Sequence, residues 1–567
     1  MAQVDTMAVS CDPPQKRLKF ARDGETGATV DIMAQKGSLL EGESLTTAVT
    51  PKGDAEEIQQ WMAGERVYAF YNIFNHPRGF RCVCIHQKVG RPSPLAGLSA
   101  GWLPARVVDE CRPSETEDVS LRFEGCFADP MMDRDKVSSE TFRVPHSLVR
   151  RRRPQDPPAL SILVVRWFDY YTLKGYSDFD IRREGSVRDF FTGDSSSGDE
   201  SVDRSMMGDY EAFTVFIRRS EDLDRLSEVW ARAELRGRHV GAMYYLWPVQ
   251  KSHAEAVQPA YVCEHALFGL MQRMELAGVP TRYPHPAHLY RQLAGKLWVP
   301  QMSLSRAHAV PPTTRLHLQQ LAADPDAAAG KALEALEALA VLGQSCAPAG
   351  SCRGVAKLGF SWCGSDVEAF QGRRQLGEKA QKLFGKPQSA ATSLLVQSMV
   401  PNVVCELRCL VFYDRASSTH QRRLVYLCEE EGRQNDAELG FSLTTHLTMT
   451  EARALEVCFR GDGEAQRAAR EEVHRLTTAW LMWMLAECCE PQPQNRLDFL
   501  VSYDPAKPGS VAVHTCEVTE GGSSLCGLRA DARTCAYLNA FFADGACAVQ
   551  GCRCRCPRAL PPIKSKY

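Results

Sequence analysis

The chain has 567 residues, a formal net charge of -2 and 22 cysteines. That length accommodates about three or four domains with buried cores and excludes a small disulfide-stapled scaffold, while the near-balanced charge excludes a global drive toward nucleic acid or an anionic membrane. No run reaches the roughly 18 apolar residues that a membrane span needs, and many cysteines without a leader segment point to reduced thiols and so to the cytosol or nucleus.

Residues 1–53 lack apolar periodicity and are expected to form a disordered arm. Within it, Lys16, Arg17 and Lys19 follow two prolines, in a pattern similar to a short nuclear-import signal. From residue 54 to 153 the pattern changes to short β-rich runs (ERVYAFYNIF, FRCVCIHQ, LPARVVDEC, DVSLRFEG, TFRVPHSLV) separated by turn residues. Five such strands without a helical period predict a small barrel. The order of Gly64, Val67 and Ala69, then Gly101-Trp102-Leu103-Pro104-Ala105, then Leu121 to Gly125, resembles Tudor and other SH3-like barrels. That resemblance implies a methylated peptide as partner, caged by Tyr68, Trp102 and Phe123 through cation–π attraction. The same aromatics also suit the core of so small a barrel.

Residues 158–285 open with ALSILVVRWF, a continuous apolar run suited to a buried strand. AFTVFIRR and HVGAMYYLWPVQ read as further strands, and LDRLSEVWARAEL and ALFGLMQRMELAG as helices, which is the alternation of an open α/β sheet. Residues 286–545 form the next region. HLYRQLAGKLWVPQM reads as a helix containing Lys296, and two prolines then fix the entry to a strand. Residues 327–342 have the spacing of a core-facing helix.

GVAKLGFSWCGSDVEAF places Lys357 at the centre of an apolar strand that runs into Gly359, Ser361 and Gly364. A lysine there needs an anionic partner, and a Gly/Ser loop can turn backbone N–H groups toward phosphate oxygens. No Gly-Lys-Ser/Thr follows, so this is not a Walker A loop. SLLVQSMV and ELRCLVFYD are strands separated by Pro401-Asn402. Arg408 alternates with Glu406 on one face of the second, where it can reach a phosphate or carboxylate in bidentate fashion.

The last region carries a hairpin. NRLDFLVSYD and VAVHTCEVT alternate with period two around the breaker PAKPG. A turn centred between Lys507 and Pro508 sets Asp498 opposite Glu517, with carboxylates roughly 5 Å apart at Cβ. Opposed acids on a half-buried sheet repel unless a cation joins them, and Thr519 adds an oxygen on the same face. The hairpin therefore reads as a Mg²⁺ site, with Arg496 as a cation beside it. Residues 546–567 contain Cys-x-Cys-x-Cys without paired zinc spacing and read as a flexible tail.

Taken together, the strand lysine and its Gly-rich loop, the Pro-interrupted strand pair and the Arg-x-Asp/Glu hairpin resemble the ATP-grasp ligases. The resemblance covers about residues 159 to 545. It implies a multidomain α+β or α/β fold: the small barrel, a pre-ATP-grasp α/β domain, then an ATP-grasp domain with mixed and antiparallel sheets. It also implies ATP and Mg²⁺ as cofactors, with Lys296 and Lys357 on the phosphates and backbone groups of Gln397, Ser398, Met399 and Val400 on the adenine edge. Glu406 would hold the ribose, Lys357, Arg408 and Arg496 would be catalytic through the transferred charge, and Asp498, Glu517 and Thr519 would hold the metal. Thr519 departs from the family's usual Asn. The implied activity joins a small-molecule or peptide carboxylate to an amine or thiol through an acylphosphate. An inactive nucleotide-binding scaffold and a kinase acting on a hydroxyl remain the alternatives.

Overall fold

Period-two alternation puts every second side chain of a strand on one face, and in a computed structural model these strands assemble into sheets joined by helices. The structure describes residues 60–72, 96–112, 118–123, 141–151, 160–167, 210–229, 231, 239–250, 261–342, 352–360, 366–386, 389–414, 419–429 and 446–519, the last without 489, 490, 493 and 508. The expected N-terminal arm, the C-terminal tail, Ser361 and Gly364 lie outside the described residues. Among those described, the chain is a mixed α/β protein with four sheets.

Strands β1 (Arg66–Asn72), β2 (Ala96–Val107), β3 (Asp118–Phe123), β4 (Phe142–Pro145) and β5 (Val149–Arg150) pair in the order β5-β1-β2-β3-β4. No pairing of β4 with β5 among the described residues closes them into the expected barrel. The reason is β2, which is 12 residues long. Its second half serves β1 and β3, while its first half pairs with β7 (Tyr210–Ile217) beyond them. The boundary expected near residue 153 thus falls inside one continuous sheet, which goes on through β6 (Leu160–Trp167), β8 (His239–Tyr245) and β11 (Thr281–Tyr283). These last pairings are parallel, as the strand and helix alternation of this region predicts. Helix α1 (Glu264–Leu276) buries Leu267, Leu270, Met271 and Met274 against Leu163, Val165 and Tyr244 of this sheet. Short β9 (Trp247–Val249) and β10 (Tyr261–Cys263) pair with each other.

Two antiparallel sheets follow. Strands β12 (Thr313–His317), β13 (Arg353–Lys357), β14 (Val367–Gln371) and β15 (Ser393–Ser398) pair in the order β12-β15-β13-β14. Helices α3 (Pro325–Leu342) and α4 (Gly372–Phe384) cover one face, with Leu336, Leu376 and Leu383 buried against Ala356 and Val396. Helix α2 (Ala287–Ala294) precedes them. Strands β16 (Val403–Asp414), β17 (Thr419–Glu429), β18 (His446–Met449), β19 (Gln494–Tyr503) and β20 (Val511–Thr519) form the order β18-β17-β16-β19-β20.

Helix α5 (Gly463–Cys488) packs on this last sheet through Ala465, Ala469, Val473, Leu476, Trp480 and Met484, a helical stripe three to four residues apart. Its apolar partners include Leu497, Phe499 and Val501, each worth roughly 1.5–3 kcal/mol of burial. Asp462 accepts the Ala465 N–H at 3.0 Å and so caps the helix. Its other oxygen accepts from the Tyr503 hydroxyl at 3.0 Å and the Gly509 N–H at 2.8 Å, tying the β19–β20 turn to the helix start. With the odd residues of β19 committed to the core, Arg496 and Asp498 point to the other face. No helix among the described residues is long and apolar enough to cross a membrane.

Candidate functional site

Asp498 lies opposite Glu517 and Arg496 opposite Thr519, the pairing that the hairpin pattern predicts. The route to that register differs from the expected one. Near the turn Tyr503 faces Val511 and Phe499 faces Thr515, so the turn is centred on Lys507, and the register shifts between Phe499 and Asp498. Cys516 is the extra residue of this β-bulge. Without the bulge the two carboxylates would be out of step.

Arg496 donates to both oxygens of Asp498, Nε to Oδ1 and Nη2 to Oδ2, each at 2.9 Å. Both residues are buried. Arg408, the cross-strand partner of Asp498, donates to Glu406 at 2.5 Å and lies 3.6 Å from Asp498 Oδ2. Glu517 is 3.7 Å from Arg496 and 3.5 Å from Lys296 Nζ. Burial pushes the Asp498 carboxyl up to about 6 despite the two arginines. For Glu517 burial acts in the same upward sense, but Lys296, Arg496 and Lys357 outweigh it and hold it below the ordinary carboxylate range.

The two lysines arrive from the other side. Helix α2 ends at Ala294, and Lys296 sits beyond it with φ of 52°, so it occupies a turn and not the helix expected from HLYRQLAGKLWVPQM. Gly295 is the stop signal, in the usual place for a helix C-terminus. Lys357 ends β13 and is buried, and its ammonium donates to Gln397 Oε1 at 2.9 Å. Gln397 Nε2 donates to Thr313 Oγ1 at 2.8 Å, and that hydroxyl donates to the Pro311 carbonyl at 2.7 Å. Burial lowers the Lys357 pKa, the Cys516 thiol and Glu517 oppose this, and Lys296 adds to it.

Gly359, expected to approach a phosphate, packs instead on Gly295, where a Cβ would lie 2.7 Å from the Gly295 carbonyl oxygen. The Phe360 N–H donates to the Ala294 carbonyl at 3.0 Å beside it. This close backbone approach joins the strand carrying Lys357 to the turn carrying Lys296. At the expected adenine hinge, Ser398 N–H donates to the Pro312 carbonyl at 2.9 Å and Met399 N–H to the Arg353 carbonyl at 3.1 Å, while Val400 is buried. Of the hinge residues, Gln397 faces the lysine with its side chain. Thr313, Gly295 and Cys516 were not singled out from sequence. The helix stop was visible for Gly295, whereas nothing local marks Cys516 as a bulge.

The residues expected to hold Mg²⁺ do not fit a divalent cation as arranged. Both Asp498 oxygens are taken by Arg496, and the Thr519 hydroxyl donates to the Arg496 carbonyl at 2.8 Å. Glu517 stands between two cations. No group of three or more His, Cys, Asp or Glu side chains among the described residues is placed to hold a metal.

In the N-terminal strands Trp102 and Phe123 are buried and Tyr68 is half-buried. The Arg150 guanidinium lies 4.5 Å from the Trp102 ring centroid, and Phe123 packs edge-on against Phe142. The position over Trp102 that a methylated cation would take is held by a side chain of the protein.

No protein-family model and no curated protein sequence matches the chain. Among solved structures it is similar to the D-cycloserine synthetase DcsG, at 14% identity over 68% of this chain and 99% of that one, with a TM-score of 0.40. It is also similar to the VanG D-Ala:D-Ser ligase from Enterococcus faecalis, at 12% identity over 68% and 99% with a TM-score of 0.38. An ADP complex of the N5-carboxyaminoimidazole ribonucleotide synthetase PurK is similar at 10% identity over 66% and 72% with a TM-score of 0.35.

Proposed function

We propose that the cationic cluster between the four-stranded and five-stranded sheets binds the phosphates of ATP, and that the protein is an ATP-dependent ligase of the ATP-grasp type. The observation that supports this reading is the convergence of Lys296, Lys357, Arg408 and Arg496 from a turn and three strands onto one set of interacting charges. Fixed cations in a water-poor site stabilise charge that develops during phosphoryl transfer without reorganising at that moment. In this reading a carboxylate oxygen attacks the γ-phosphorus and ADP leaves. An amine or thiol then attacks the acyl carbon and phosphate leaves. Lys357 and Lys296 hold the phosphates, and Arg408 and Arg496 face the transferred group.

The test is ATP turnover by the full chain with pools of carboxylates and amines or thiols. Release of ADP and phosphate that requires both substrates supports the reading. AMP and pyrophosphate overturn it, and phosphate retained on a hydroxyl identifies a kinase. A second reading, nucleotide binding without turnover, is favoured by the Arg496 clamp on Asp498 and by Thr519 standing where the family carries Asn. It predicts nucleotide binding with no product from any pool.

A further inference from the structure

The core face of the five-stranded sheet carries a run of three sulfur atoms that nucleotide binding does not use. Cys405 of β16 donates its thiol hydrogen to Cys458, and Cys458 donates its own to Met449 Sδ at 3.9 Å. Both thiols are buried and Met449 is half-buried, so the run opens toward the surface at its thioether end. Local structure sets two of the three. Strand β18 ends at Met449, Thr450 caps the short helix Glu451–Val457 by accepting the Arg453 N–H at 3.3 Å, and Cys458 is the residue that follows that helix. On β16 Cys405 shares the core face with Leu407 and Cys409, while Glu406 and Arg408 join Asp498 on the other. The sulfurs and the cationic cluster therefore lie on opposite faces of one sheet.

A thiol is a weak donor and a thioether a weak acceptor, so little energy holds the proton that stands between Cys458 and Met449. The thiolate is the form that binds metal, and the hydrogen bond from Cys405 favours it at Cys458, lowering that pKa although burial acts the other way. A metal–sulfur bond is about 2.3 Å long, so one ion set off the line between two sulfurs spans their 3.9 Å separation. A thiolate with a thioether selects a soft cation such as Cu(I). Structural zinc takes about four ligands from Cys and His, and among the described residues no group of three or more His, Cys, Asp or Glu is placed to hold a metal. We propose that Cys458 and Met449 bind one Cu(I) ion, with Cys405 as the positioning residue that donates its S–H to the bound thiolate. The ion enters as the Cys458 proton leaves to water, so one positive charge replaces another and no net charge is added to a buried place. This site stands apart from the nucleotide reading and holds whether or not ATP binds.

The experiment is an anaerobic competition of the reduced full chain with a colour-forming Cu(I) chelator, with thermal melting in parallel. The chain has 22 cysteines, so the number of ions bound decides nothing and the melting temperature is the readout. Cu(I) should raise it, because an ion that binds only the folded arrangement stabilises that arrangement by mass action. Met449→Leu keeps the apolar bulk, so it should melt like the wild type without metal and lose the rise with it. Cys458→Ser should lose the rise as well, and if it fails to fold, Met449→Leu decides alone. Cys405→Ala should keep the rise at about tenfold weaker affinity, and Cys405→Ser, which retains a donor, should recover most of that affinity. Cys352→Ser, at an exposed cysteine, should change neither quantity. No rise in the wild type, or a rise that Met449→Leu retains, overturns the proposal. An equal rise with Zn²⁺ that is lost in the same variants overturns the assignment to a soft monovalent ion, and equal affinities for Cys405→Ala and Cys405→Ser overturn the positioning role.

Discussion

The two sheets that meet at the site bury positive charge in opposite ways. On the five-stranded sheet Arg496 is matched to a carboxylate on its own strand through two 2.9 Å bonds. On the four-stranded sheet Lys357 is matched to an amide, which passes the hydrogen bonding on through Thr313 to a backbone carbonyl. An ion pair of the first kind locks both partners, since removing either strands a charge. A lysine held by a neutral acceptor keeps its electrostatic demand open, and it can answer an arriving anion.

Breaking the ion pair should have the largest effect. Asp498→Ala removes both 2.9 Å hydrogen bonds of the buried Arg496 guanidinium and should cost about 3–5 kcal/mol of stability, read from urea midpoints. Combining it with Arg496→Met should recover most of the loss. A single-variant cost below about 1 kcal/mol, the range of exposed pairs, would remove the contrast between the sheets.

A second buried base extends the comparison to a group kept neutral. His285 is buried, with Nδ1 at 3.0 Å from Gln492 Oε1, and burial lowers its pKa from 6.5 to about 4 although that hydrogen bond acts the other way. The unfolded chain therefore binds this proton near pH 6.5 and the folded chain only near pH 4. Stability is full above pH 6.5 and falls as the pH drops through that window, by up to about 3 kcal/mol. His285→Gln should flatten this part of the profile. A profile as steep as that of the wild type would assign the acid sensitivity to other groups.

The amide arrangement is open to a smaller perturbation. Gln397→Leu removes the acceptor of the Lys357 ammonium and a donor to Thr313, and should cost about 1–3 kcal/mol. Adding Lys357→Met should restore stability, because the charge that Gln397 solvated is then gone as well. Equal costs for the single and double variants would show that the loss comes from packing.

The smallest effect is a gain. Asn495 is fully buried on the core side of β19, and among the described residues neither end of its amide meets a hydrogen-bonding partner. Asn495→Leu keeps the number and branching of the side-chain heavy atoms and should stabilise by about 1 kcal/mol. A loss of that size would instead mean that the amide is satisfied in solution.

What the sequence determined by itself follows from local periodicity. Alternation in NRLDFLVSYD and VAVHTCEVT set which side chains share a face, and so gave Asp498 its partner Glu517. Three- and four-residue spacing gave α1 and α3, and the alternation of strands and helices gave the parallel strands from β6 to β11. Tertiary structure decided what depends on contacts between distant segments. It shared β2 between two sets of strands and left the expected barrel open. It set Gly359 on Gly295 and brought Lys296 to Glu517, and it placed the bulge at Cys516 that keeps the carboxylates in step. Periodicity reports which way a side chain points along its own strand. Which charge it meets there depends on the packing of other elements, and that packing set the expected metal ligands Asp498 and Glu517 among Arg408, Arg496 and Lys296.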